Sequence, residues 1–158
     1  MKKKNKGFTL LEILLVVGAI GILAGIVILA INPGKQLGDT RNAQRKADVS
    51  TVSNAIYQYA IDNNGTFPGL NLATASVTPQ IIGTAGTGCD TVCTATTTLA
   101  ACKDLTADLT PTYVVSTPMD PSTGTAAITD YYVRKLPSGR LEVGSCDPEQ
   151  GEVITVTR

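Results

Sequence analysis

The chain contains no histidine and no tryptophan, and its aromatic residues are five tyrosines and two phenylalanines. Without histidine there is no imidazole to act as general base and no His-based catalytic triad. A nucleophilic cysteine would lack its usual partner. Gly34-Lys35 has neither the upstream glycine nor the following Ser or Thr of a phosphate loop, so nucleotide binding is not expected. Net charge is also missing, with 13 basic residues against 13 acidic ones. Four of the basic residues, Lys2, Lys3, Lys4 and Lys6, stand ahead of Phe8, and the remainder of the chain is therefore mildly acidic. That balance gives no case for nucleic-acid binding. The expectation is a protein without an active site and without a cofactor.

What the chain has instead is a long apolar run. Residues 8–31 read FTLLEILLVVGAIGILAGIVILAI, with Glu12 the single ionisable residue. As a helix this run is about 36 Å long at about 1.5 Å per residue, enough for a hydrocarbon core of about 30 Å. The preceding lysines place the N-terminus in the cytoplasm and the rest of the chain outside. An ordinary secretory signal fits less well, since its apolar core is about 7–15 residues and small residues precede its cut, whereas Ile28 stands three before a cut after Ala30. Gly18, Gly21 and Gly25 include a small-xxx-small pair that would permit close helix approach. Glu12 is costly in such a helix unless it is paired or reaches water. It either snorkels to the cytoplasmic interface or meets a positive charge on another subunit.

Asn32-Pro33-Gly34 follows and predicts a kink or melted segment over residues 32–38, because proline removes a backbone donor and clashes with the preceding turn. Val49, Val52, Ile56, Tyr59 and Ala60 then recur at helical spacing and predict an amphipathic helix over residues 39–64, ending at Asn63-Asn64-Gly65. Its polar residues Arg41, Arg45, Lys46 and Asp48 read as a solvated or intersubunit face; with Lys35 they offer only weak support for contact with DNA or anionic lipid. Residues 66–129 are threonine-rich and read mostly as loop, with a short helix around Leu99–Leu105. Thr112–Ser116, Asp130–Leu136, Arg140–Val143 and Glu152–Thr157 read as strands of an antiparallel sheet, with a hairpin at Pro137-Ser138-Gly139.

Cys89, Cys93, Cys102 and Cys146 all fall in this second half. Outside the cytoplasm they read as two disulfides in one of three connectivities. A bridge from Cys146 back to the 89–102 segment would close the longest loop. A four-thiolate zinc site is the rival, but the spacing lacks paired CxxC knuckles. Asn64-Gly65-Thr66 and Thr94–Thr98 are weak glycosylation candidates.

The segment Gly7-Phe8-Thr9-Leu10-Leu11-Glu12, with its basic leader and long apolar helix, resembles the class III signal sequence of type IV pilins and of type II secretion pseudopilins. The likeness extends to Asn64-Gly65-Thr66-Phe67-Pro68. It implies that a prepilin peptidase cuts between Gly7 and Phe8 and that the new amine of Phe8 is methylated. It further implies that subunits pass from inner-membrane lipid into a homo-oligomeric helical filament built by separate assembly machinery, with Phe8 of one subunit meeting Glu12 of a neighbour. Thr117-Pro118-Met119-Asp120-Pro121 and Asp130-Tyr131-Tyr132 are similar to a pattern of major pseudopilins that bind calcium, without its tryptophan, so Asp120, Asp130, Asp147 and Glu149 are conceivable oxygen ligands.

The organisation expected is a cleaved leader (1–7), a membrane and filament-core helix (8–31), a break (32–38), an amphipathic helix (39–64) and a globular head (65–158). The fold class is α+β: a long helix, kinked near Pro33, packed on a small antiparallel sheet with disulfide-linked loops. The first expectation for function is the major subunit of a surface type IV pilus for adhesion, twitching motility or DNA uptake. The alternatives are a pseudopilin of a periplasmic secretion fibre and a single-pass anchored binding domain.

Overall fold

The computed structural model describes residues 7–68 and 78–158. The leader lies outside them except for Gly7. The chain divides into two units, Met1–Leu37 and Gly38–Arg158.

In the first unit, helix α1 spans Leu10–Ile31 and none of its residues is buried. It is long and apolar enough to cross a membrane by length and composition. An apolar surface all round belongs in lipid or against other helices. The helix ends at Asn32, whose backbone is left-handed (φ 45°). Asparagine tolerates that conformation better than most residues. Helix α2 (Pro33–Asp62) starts at once. Asn32 caps its start: Lys35 N–H donates to Asn32 Oδ1 at 3.3 Å and to Asn32 O at 3.0 Å. Pro33 then occupies the first helical position, where a missing N–H costs nothing. The expected break over 32–38 is therefore confined to one residue, because proline stands where a helix accepts it.

In the second unit, α2 turns Val49, Val52, Ala55, Ile56 and Ala60 inward, and Tyr59 lies half-buried at the margin. It ends with Asn64 left-handed and Gly65 N–H donating to Ala60 O at 2.7 Å, a Schellman-type closure. The helix packs on a four-stranded antiparallel sheet in the order β1 (Gln80–Ile81), β2 (Tyr131–Lys135), β3 (Leu141–Ser145), β4 (Thr155–Thr157). The β2–β3 hairpin is closed by Leu136 N–H donating to Arg140 O and Gly139 N–H donating to Leu136 O.

Alternation along β2 separates two cores. Tyr131 and Val133 join Leu141, Val143 and Ile154 against α2. Tyr132 faces the opposite side with Ile81, Cys89 and Cys146. Gly144 pairs with Tyr132, and a Cβ at Gly144 would lie 2.4 Å from its ring. The ring thus covers the strand where a side chain would collide. Burying a residue such as Ile56 contributes about 1.5–3 kcal/mol.

The disulfides join Cys89 to Cys102 and Cys93 to Cys146. The long loop is closed as expected and the thiolate zinc site is excluded. Two local expectations fail. Residues 112–116 form a turn and coil rather than a strand, with Tyr113 and Val114 packed against the α2 core. The short helix, α3, lies at Thr106–Leu109 instead of 99–105, with Asp104 Oδ1 accepting from Thr106 N–H at 2.8 Å.

Candidate functional site

Gly7, Phe8 and Thr9 precede α1 in non-helical backbone. Thr9 is extended (φ −78°, ψ 149°), and its Oγ1 accepts from Glu12 N–H at 3.2 Å. Thr9 is thus the N-cap and Glu12 the third helical residue, where an acid favours the positive end of the helix dipole. Phe8 is 78% exposed. Phe8 and Glu12 border one apolar depression together with Ile13, Val16 and Val17. Among the described residues the Glu12 carboxylate has no ion-pair partner. The structure thus brings the expected cleavage, methylation and assembly residues together at one end of α1. Gly18, Gly21 and Gly25 have open space where a Cβ would stand.

Several charged residues of α2 pair with the head, although Lys46 stays exposed. Arg45 is 1% exposed and donates through Nε and Nη2 to Asp120 at 2.6 and 3.1 Å. It also donates to Asn42 Oδ1 (3.0 Å), Glu149 Oε1 (3.1 Å) and Ser122 Oγ (2.9 Å). Asn42 exchanges two hydrogen bonds with the Glu149 backbone, at 2.8 and 3.0 Å. Arg41 donates to Glu149 Oε2 at 3.1 Å, and Lys46 pairs with Glu152 at 2.7 Å. Asp48 accepts from Tyr131 Oη at 2.8 Å and from Gln44 at 2.8 Å. This side of the helix docks two loops of its own head. Arg41, Arg45 and Lys46, offered for DNA or anionic lipid, are thereby engaged within the chain.

Electrostatics follow from these contacts. Burial would raise the Asp120 carboxyl, but hydrogen bonds from Arg45 and Ser122 outweigh it and hold the group at about 2. Burial raises Tyr131 far above the usual phenol range, and Asp48 reinforces it. Burial together with Glu142 pushes Tyr132 up to about 12.

The signal for this network was present in the sequence as a position rather than a composition. Gly38, Asn42 and Arg45 continue the spacing of Val49, Val52 and Ile56 towards the N-terminus, so polar residues extend the buried stripe. At Gly38 a Cβ would lie 2.6 Å from Gln150 Nε2.

The four conceivable calcium ligands do not converge. Asp120 and Glu149 are held by Arg45, while Asp130 and Asp147 border a separate cavity with Thr123 and Thr125. No group of three His, Cys, Asp or Glu side chains suited to a metal occurs among the described residues. Asp130 is 3% exposed, left-handed (φ 59°), and its Oδ1 is buried without a hydrogen-bond partner. Burial raises its carboxyl against an opposing hydrogen bond from Thr123, and Asp147 nearby adds to the rise.

An apolar helix exposed on all sides is followed in the chain by an α+β head closed by two disulfides. Residues 2–28 match the prokaryotic N-terminal methylation motif. The chain is 36% identical over 63 residues to the type II secretion system core protein G of Aeromonas hydrophila, covering 40% of this chain and 43% of that one. It is 38% identical over 61 residues to the core protein G of Escherichia coli K12 (39% and 41% covered). It is 39% identical over 66 residues to that of Vibrio cholerae (40% and 44%). The chain thus spans about two fifths of the length of the curated relatives it matches. No solved structure matches it significantly. The matched motif and these relatives support a place for the chain in the type IV pilin and pseudopilin family.

Proposed function

We propose that this chain is a filament subunit of the pseudopilin type. Its precursor is anchored by α1 with the N-terminus in the cytoplasm. A prepilin peptidase cuts between Gly7 and Phe8, the Phe8 amine is methylated, and separate machinery polymerises the subunit. In the polymer α1 exchanges lipid for other copies of itself, and Glu12 receives the Phe8 amine of a neighbour. The subunit carries no active site. The observation that supports this most strongly is α1 itself, capped at Thr9, with Phe8 and Glu12 at its tip and no buried residue along its length.

The relatives are named for type II secretion, which favours a periplasmic export fibre over the surface pilus first expected from the sequence. A deletion strain separates the two. The secretion reading predicts that exoproteins accumulate inside while surface filaments persist; loss of sheared filaments with normal export would reinstate the pilus. In either fibre the mature subunit begins with N-methylated phenylalanine, and an intact Met1 would refute processing.

The buried, unpartnered Oδ1 of Asp130 supports a second proposal, that Asp130 and Asp147 with Thr123 and Thr125 hold a calcium ion in the head. The ion would supply the missing countercharge to a buried carboxylate. Calcium should then raise the melting temperature of the wild-type protein and not that of Asp130→Asn. An equal response in both would reject the site.

A further inference from the structure

Assuming processing at Gly7–Phe8, we propose that Thr9 is a positioning residue for that cleavage: its side chain stops α1 one residue short of Phe8 and keeps the scissile peptide outside the helix. The argument rests on which acceptor receives Glu12 N–H. In a helix running further back, this N–H would bond the carbonyl four residues earlier, that of Phe8. Here it is taken by Thr9 Oγ1 at 3.2 Å and Thr9 O at 3.1 Å, and Ile13 N–H goes to Thr9 O at 3.2 Å. The bond that would draw Phe8 into the helix is therefore occupied by the cap.

The placement matters because of what lies on either side. Downstream, Leu10–Ile31 is an unbroken helix, and in a membrane an unpaired backbone group is costly, which drives the helix to extend wherever it can. Upstream, Gly7 and Phe8 are exposed and non-helical. Hydrolysis adds water across the Gly7–Phe8 amide, leaving a carboxylate on Gly7 and an amine on Phe8. A peptidase must reach both faces of that amide, and a helical turn would tie its carbonyl to Leu11 N–H. With the cap in place, the amide and the amine it yields both stand clear of the first turn. Glu12 contributes a backbone N–H to this device, so its carboxylate is left for another purpose.

The test compares full-length precursors in lipid vesicles with a prepilin-type aspartyl peptidase, following leader release by mass spectrometry. Thr9→Val keeps the shape and removes the capping oxygen; Thr9→Ser and Thr9→Asn restore a capping oxygen on different frames. Leader release should slow about five- to tenfold in Thr9→Val and return to within about twofold of wild type in Ser and Asn. The 13C shift of the Phe8 carbonyl should move to its helical value in Thr9→Val alone. Wild-type cleavage with an equal rate in Thr9→Val overturns the role of the cap and leaves processing intact. Slow cleavage in Ser and Asn as well assigns the effect to side-chain shape and also overturns it. An uncleaved wild-type chain removes processing and, with it, this proposal.

Discussion

Glu12 and Arg45 are both charges set into stripes that otherwise read as buried, yet they differ in where the countercharge lies. Arg45 finds Asp120 75 residues away in the same chain, together with Glu149, Asn42 and Ser122. Glu12 sits on a helix with no buried residue and has no ion-pair partner among the described residues. The first charge completes a fold. The second has no countercharge among the described residues, and the proposal of a polymer subunit draws on that difference. A buried ion pair is weak evidence of net stability. Its role at Arg45 is to fix how α2 seats against the loops that carry Asp120 and Glu149.

Breaking the internal pair should have the largest effect. Arg45→Ala leaves Asp120 buried without its countercharge, and denaturant unfolding of the detergent-solubilised protein should show a loss of about 3–5 kcal/mol. Replacing Cys93 and Cys146 together by serine releases a loop with a sequence separation of 53. The expected loss is about 4 kcal/mol by chain entropy, against about 3 kcal/mol for the Cys89–Cys102 pair. A larger loss from the shorter loop would contradict that ranking.

A smaller effect follows from pH. Asp120 is held at about 2 in the fold, below the unfolded value of about 3.9. Its contribution is therefore full above about pH 4 and is lost as pH falls towards 2. Thermal melts between pH 5 and 2 should show this slope in the wild-type protein and a shallower one in Asp120→Asn. The least effect on stability is expected at the other charge: Glu12→Ala should leave head unfolding within about 0.5 kcal/mol of wild type.

Legibility in the sequence divides along the same line. Features that depend on neighbours in the chain were readable: the α2 stripe through Val49, Val52 and Ile56, the helix stop at Asn64-Gly65, the hairpin at Pro137-Ser138-Gly139 and the long apolar helix. The N-terminal methylation motif was readable because its spacing from Gly7 to Glu12 is local. Features set by distant partners were not. Gln80–Ile81 is a two-residue strand defined by its pairing with Val133 and Tyr132. Tyr113 and Val114 have strand-like side chains but pack as coil against the α2 core. Asn32-Pro33 looked like a longer break because proline's effect depends on whether it opens a helix or interrupts one. Arg45 looked like a surface cation because burial of a charge depends on a carboxylate elsewhere.

The most direct measurement is filament assembly by Glu12→Ala, scored by electron microscopy alongside N-terminal mass spectrometry and head melting on the same preparation. The account predicts a cleaved, normally folded subunit that stays in the membrane and yields no ordered filament. Normal filament yield from that variant would contradict it and return Glu12 to a charge that merely reaches the membrane surface.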